Sequence, residues 1–171
     1  MFVPGIRQDG TRKLGCDESS GWIWFAGQAL SEVLISKITT MEGLRVLELG
    51  SGTGWLAIQL AAKGACVTAT ERTGACPLLL QNIYSQSPEI LANIDVHVLD
   101  WTIPKALDGE WDIIVASDIL YLQESYVSLL ETIIRHDVAK TSLAYEERKP
   151  EEEKNFIALA SQHGFDVKVE E

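Results

Sequence analysis

The strongest constraint on the fold is a regular alternation, after residue 44, of short apolar runs with amphipathic stretches. Residues 45–49, 66–71, 95–100, 111–117 and 141–145 predict strands, and 165–169 predicts a sixth near the chain end. Residues 54–63, 77–85, 123–135 and 150–163 predict helices, with Pro77 in a first turn and Gly64 and Gly164 as stops. A further helix over 26–37 precedes the first strand, with Leu30, Val33, Leu34 and Ile38 at helical spacing. The apolar side of 123–135 is predicted to be Tyr126, Leu129, Leu130, Ile133 and Ile134, and that of 150–163 to be Phe156, Ile157, Leu159 and Ala160. The stretch WDIIVAS (111–117) is apolar almost throughout, as a central strand covered on both faces should be. Strands alternating with helices imply an α/β architecture, a doubly wound and mostly parallel sheet. Such sheets bind ligands beyond the carboxyl ends of their strands, where the strand order reverses.

The chain's 171 residues are one domain's worth, enough to bury one sizeable core. Residues 1–20 are polar and Gly-containing and read as a flexible N-terminal arm, which leaves 21–171 as a single domain. Lys plus Arg is 14 and Asp plus Glu is 25, so the formal net charge is 14 − 25 = −11. That charge repels phosphate backbones and anionic bilayers, so neither nucleic acid nor membrane is expected as a partner. Basic protein segments are attracted instead. Cys16, Cys66 and Cys76 show no C-x-x-C spacing, and His97, His136 and His163 form no H-E-x-x-H, so neither a disulfide framework nor a metal is expected. With no signal-like N-terminal run and no apolar stretch near 18 residues, the expected location is cytoplasmic, with the nucleus also open.

The strand ends carry the chemistry. The first runs into Glu48-Leu49-Gly50-Ser51-Gly52-Thr53-Gly54. Three glycines between strand and helix let backbone lie against a ligand; the alternative is a tight βα turn without one. A dinucleotide fingerprint requires Gly or Ala at the sixth position of the motif, where this chain has the bulky Trp55. The second strand ends at Glu71, whose carboxylate could accept from both ribose hydroxyls or could be an ordinary solvated acid. The third ends in Asp100-Trp101, an acceptor for an exocyclic amine beside a flat wall for a purine, or else surface and core residues. Together these ends describe an adenosine pocket with a Gly-lined place for a polar tail. After the fourth strand, Asp118 would project where that tail meets a substrate, and Tyr121 could close over the point.

Over roughly residues 21–169 these residues resemble the seven-strand S-adenosylmethionine-dependent methyltransferases. More narrowly, they resemble methyltransferase family 16, whose characterised members are mostly protein-lysine methyltransferases. The resemblance rests on Trp24 before the first helix, LELGSGTG (47–54), Asp100-Trp101, Ser117-Asp118-Ile119-Leu120-Tyr121, and Leu143-Ala144-Tyr145-Glu146-Glu147-Arg148. It implies a Rossmann-like doubly wound, mostly parallel sheet, S-adenosyl-L-methionine as cofactor, and a lysine of a protein as acceptor. It also implies site roles. Glu48, Gly50, Gly52 and Gly54 would line the methionine end, and Glu71 would hold the ribose. Asp100 and Trp101 would frame the adenine, Trp24 would cover the cofactor, and Ala116 would touch the adenosine. Asp118 and Tyr121 would form the mouth where lysine enters and serve as the catalytic pair.

The chain departs from the family pattern in two ways. Glu71 stands where many members have Asp, and its longer arm still reaches a ribose. The family's seventh strand lies between the fifth and sixth, yet this sequence stops at Glu171. The last strand is therefore expected to be missing, with the edges of the fifth and sixth unpaired and the oligomeric state open. Nucleic-acid enzymes of this fold that modify exocyclic amines carry [N/D]-P-P-[Y/F] at the fourth strand, and Asp118-Ile119-Leu120-Tyr121 has no prolines. A small-molecule or RNA acceptor, a nicotinamide-dependent dehydrogenase, and a catalytically silent methyltransferase-like interaction module remain as alternatives.

Overall fold

The computed structural model describes residues 21–147 and 150–170, without the side chain of Glu152. The arm at 1–20, Arg148 and Glu171 lie outside the described residues. In chain order the elements are α1 (Phe25–Lys37), β1 (Arg45–Leu49), α2 (Trp55–Ala61), β2 (Cys66–Glu71), α3 (Cys76–Tyr84), α4 (Pro88–Leu91) and β3 (Ile94–Val98). They continue with β4 (Ile113–Ser117), a 3₁₀ turn (Gln123–Ser125), α5 (Tyr126–Arg135), β5 (Thr141–Ala144) and α6 (Pro150–Gln162).

The five strands form one parallel sheet in the order β3-β2-β1-β4-β5. The chain builds outward from β1 through β2 to β3, then crosses back to place β4 on the other side of β1. That reversal puts the ligand crevice above the gap between β1 and β4. Register aligns the ends that matter: Leu49 pairs with Thr70 on one side and with Ala116 on the other.

Period-two alternation along β1 sends its side chains into two cores. Val46 joins Leu30, Leu34, Trp55, Leu60, Leu79 and Ile83 beneath α1, α2 and α3. Leu47 and Leu49 join Leu129, Leu130, Ile133 and Phe156 beneath α5 and α6. Glu48 shares the Val46 face, so a carboxylate is carried under the first turn of α2.

Several sequence expectations are corrected. Val33 and Ile134 are exposed, not inward. In α1 the buried stripe is Ala26, Gly27, Leu30, Ser31 and Leu34, rotated away from Val33 by the contact with α2 and the sheet. In α5 the inner place goes to Thr132, whose hydroxyl donates to the Ser128 carbonyl (2.8 Å). The helix expected from Gln123 begins as a 3₁₀ turn, and the short α4 was not foreseen. Residues 165–169 form no strand: β5 is an edge of the sheet, and among the described residues no strand lies beside them to supply a ladder.

Gly54 begins α2 with φ +81°, and a Cβ there would sit 2.7 Å from Leu79 Cδ1. Gly54→Ala should cost about 2 kcal/mol or more, from the left-handed backbone and overpacking together. In urea denaturation, Leu79→Ala in the same background should recover the overpacking part, so a double-mutant cycle will show coupling between the two sites.

Candidate functional site

A cavity of about 270 Å³ opens at the carboxyl ends of the strands. Its walls include Trp24, Glu48, Gly50, Gly52, Glu71, Asp100, Trp101, Asp118 and Tyr121. The structure thus brings most of the sequence-derived site residues to one place. Gly54 and Ala116 stand behind its lining: Gly54 faces Leu79, and Ala116 is fully buried in the core under α5.

The Gly loop is held to the end of β2. Gly52 N–H donates to Glu71 Oε2 (3.0 Å), and Arg72 N–H donates to Oε1 (2.8 Å). Ser51 N–H donates to the Thr70 carbonyl (2.9 Å), Thr70 N–H returns a bond to Ser51 Oγ (3.1 Å), and the Thr70 hydroxyl donates to the Glu48 carbonyl (2.6 Å). From the other side, Asn82 on α3 donates its amide to the Thr53 carbonyl (2.8 Å). Burial raises the Glu71 carboxyl above its ordinary value, and the Arg72 and Gly52 amides oppose that shift. A carboxylate keeps lone pairs after two such bonds, so ribose hydroxyls can still be accepted.

Glu48 is 1% exposed. Burial is the main cause that pushes its carboxyl up to about 7; the neighbouring Glu71 adds to the rise, while hydrogen bonds from Ser51 and the Ala57 amide oppose it. Its Oε2 is buried without a partner.

At the far end, Thr102 donates both its N–H (2.9 Å) and its hydroxyl (2.7 Å) to Asp100 Oδ1, leaving Oδ2 out of the turn. Those bonds hold the Asp100 carboxyl below its usual range, as an acceptor that stays ionised. The Trp101 ring lies over Gly50, where an added Cβ would be 3.5 Å from Trp101 Cζ2 and 2.9 Å from Ile119 Cγ2. Any side chain at Gly50 would push these walls apart.

Asp118 is 7% exposed and holds φ +55°, a strained position that Asp tolerates better than most residues. Its N–H donates to the Ala144 carbonyl (2.8 Å), and Glu146 N–H approaches its Oδ1 (3.5 Å). The end of β5 therefore holds the loop after β4, so the two family-like motifs touch. Tyr126 donates its hydroxyl to the Leu120 carbonyl (3.1 Å) and anchors the loop on α5. Tyr121, 41% exposed, stands at the rim.

Sequence reasoning missed Asn82, Ser51, Thr70 and Thr102. Of these, Thr102 had a local signal, since Asp-x-Thr is an Asx-turn pattern. The cavity lining carries carboxylates at Glu48, Glu71, Asp100, Asp118 and Glu124, and Arg72 is its one positive charge among the described residues. Such a cavity suits a ligand with cationic groups.

Fold and site together define the class, an α/β domain of the S-adenosylmethionine-dependent methyltransferase fold. The same fold is seen in magnesium protoporphyrin IX methyltransferase from Synechocystis PCC 6803, with TM-score 0.61 and 20% identity over 92% of this chain and 80% of that one. The chain belongs to the lysine methyltransferase family, whose model, described as "Lysine methyltransferase", matches residues 7–163. It is similar to the protein N-lysine methyltransferase METTL21A of Mus musculus, 34% identical over 131 residues, which are 75% of this chain and 58% of that protein. It is similar also to EEF1A lysine methyltransferase 3 of Mus musculus, 31% identical over 67% of this chain and 49% of that protein. The chain spans about half the length of the curated relatives it matches.

S-adenosylmethionine is the cofactor of this family. The residues present fit it: the partnerless, buried Glu48 Oε2 suits an ammonium, and the excess of carboxylates suits a sulfonium.

Glu48 also sets a pH dependence. Its folded pKa, about 7, lies above the ordinary 4.5, so between those values the folded chain holds a proton that the unfolded chain has released. Stability from this group is present below pH 4.5 and is lost as pH rises through about 7. Melting temperatures across that window should fall less steeply for Glu48→Gln than for the wild type.

Proposed function

We propose that this chain is an S-adenosylmethionine-dependent methyltransferase that methylates a lysine side chain of a protein. The observation that carries the reading is that one cavity is lined both by Glu71, Asp100 and Trp101 and by Asp118 and Tyr121. Family membership and the names of the relatives support it. The net charge of −11 favours a basic protein acceptor over nucleic acid. Residues 21–171 would act as one domain. Among the described residues no helix is long and apolar enough to cross a membrane, and a cytoplasmic or nuclear place of action is part of the proposal.

In this reading Glu71 takes the ribose hydroxyls, Asp100 the adenine amine and Trp101 its face. Gly50 and Gly52 give the backbone close approach, Glu48 takes the ammonium, and Trp24 covers the site. Gly54 and Ala116 support the wall from behind. The cofactor, when bound, supplies an activated methyl group on a sulfonium. A lysine must be neutral to accept it, and its ordinary pKa is about 10.4. Entry through a mouth walled by Tyr121 and Leu122 strips water from the amine and lowers that value. Asp118, rigid on its strained backbone, hydrogen-bonds the amine and aims its lone pair. Orientation, not proton removal, is its role, since a carboxylate beside a lysine also favours the protonated form. The Tyr121 ring faces the cationic product.

Methyl-labelled S-adenosylmethionine with a hypomethylated lysate, half of it nuclease-treated, tests the reading on a denaturing gel. The expected result is a discrete labelled protein band that survives nuclease; label lost with nuclease, or no label, would overturn it. With the band's protein as substrate, Asp118→Asn should lower turnover by about 10- to 100-fold, since it disturbs the aim of the acceptor. Cofactor affinity, measured by calorimetry, should stay within about threefold of wild type, because Asp118 sits at the acceptor end. That affinity should also strengthen from pH 6 to pH 7.5, as Glu48, with its pKa about 7, becomes ionised.

A further inference from the structure

Trp55 stands where a dinucleotide fingerprint needs Gly or Ala. It opens α2, is 7% exposed, and packs in the core cluster of Leu30, Leu34 and Ala57. Bulk alone would be met by Phe. Yet Trp55 Nε1–H is buried with no hydrogen-bond partner, in a residue that belongs to the cavity lining. A buried indole N–H normally finds an acceptor, and leaving one unpaired is costly. Among the described residues, the buried side-chain polar atoms without partners are Glu48 Oε2, Trp55 Nε1 and Arg135 Nη1, and the first two belong to residues of this cavity. One is an acceptor and the other a donor. Both adjoin the first turn of α2, since Glu48 is bonded by the Ala57 amide.

Three amides of the Gly loop are already spent. Ser51 N–H is committed to the Thr70 carbonyl, Gly52 N–H to Glu71 Oε2, and Gly54 N–H to the Ser51 carbonyl. Arg72, the positive charge of the lining, acts on Asp100 at the nucleoside end. A zwitterionic amino-acid end held by Glu48 also needs a donor for its carboxylate. We infer that the Trp55 indole N–H is that donor, a specificity-determining contact that separates cofactors bearing the amino-acid carboxylate from truncated thionucleosides. The inference rests on the cofactor reading proposed above and extends it to a residue that reading leaves idle.

The probes are S-adenosylhomocysteine, which carries the carboxylate, and 5′-methylthioadenosine, which lacks the whole amino-acid end. In ¹H–¹⁵N spectra of the wild-type protein, the Trp55 indole N–H resonance should move downfield with S-adenosylhomocysteine and barely move with 5′-methylthioadenosine. By calorimetry, Trp55→Phe should weaken S-adenosylhomocysteine about tenfold and leave 5′-methylthioadenosine within about twofold. A packing role alone would weaken both ligands together and overturn the inference. So would a Trp55 resonance that responds alike to both ligands, which the wild-type protein decides even if Trp55→Phe fails to fold. Binding of both probes with Trp55 silent overturns this inference alone; no binding of either overturns the cofactor reading and the inference with it.

Discussion

The site depends on how the ends of two neighbouring strands are tied. Glu71 closes β2 and spends one carboxylate oxygen on the Gly52 amide and the other on the Arg72 amide. Ser51 and Thr70 exchange two further bonds across the same gap. A bond to a charged group contributes about 1.5–3 kcal/mol, and a neutral one about 1. Their larger effect is geometric. They turn the Gly loop toward the crevice and leave Gly50 bare beneath Trp101 and Ile119. A flexible loop with the same residues would have no fixed wall for a ligand.

The sheet order supplies the rest. Because β4 returns to the other side of β1, the residues after β1, β2, β3 and β4 meet above one crevice. Chain segments as distant as Trp24 and Tyr121 then share a cavity. Charge follows from that convergence: carboxylates from separate strands gather, and burial raises the pKa of Glu48 and Glu71.

Much of this was legible beforehand. The sequence pattern gives β1 and β2 the boundaries observed, because their apolar runs end at Gly and at a charged turn. Glu71, Asp100 and Asp118 stand at strand ends, where the α/β pattern places ligands. The errors have physical causes. Val33 and Ile134 lie on helical periodicity, but which stripe faces inward is decided by the neighbouring layer. Residues 165–169 have strand composition, yet a strand exists only against a partner. Gly54 and Ala116 belong to the right motifs but stand one layer behind the lining, a depth that spacing does not encode.

The sequence by itself determined the alternation of strands and helices, the turn after β1, and the chemistry carried at each strand end. All of these follow from local pattern: the period of apolar residues, the conformational range of glycine, and the side-chain type. Only the tertiary structure decided that Asn82 holds the Thr53 carbonyl 29 residues away, and that Glu146 meets Asp118 across 28. It alone left Glu48 Oε2 and Trp55 Nε1 without partners. Such facts depend on strand order, register and layer packing, which set the neighbours of each polar atom and which no local window of residues contains.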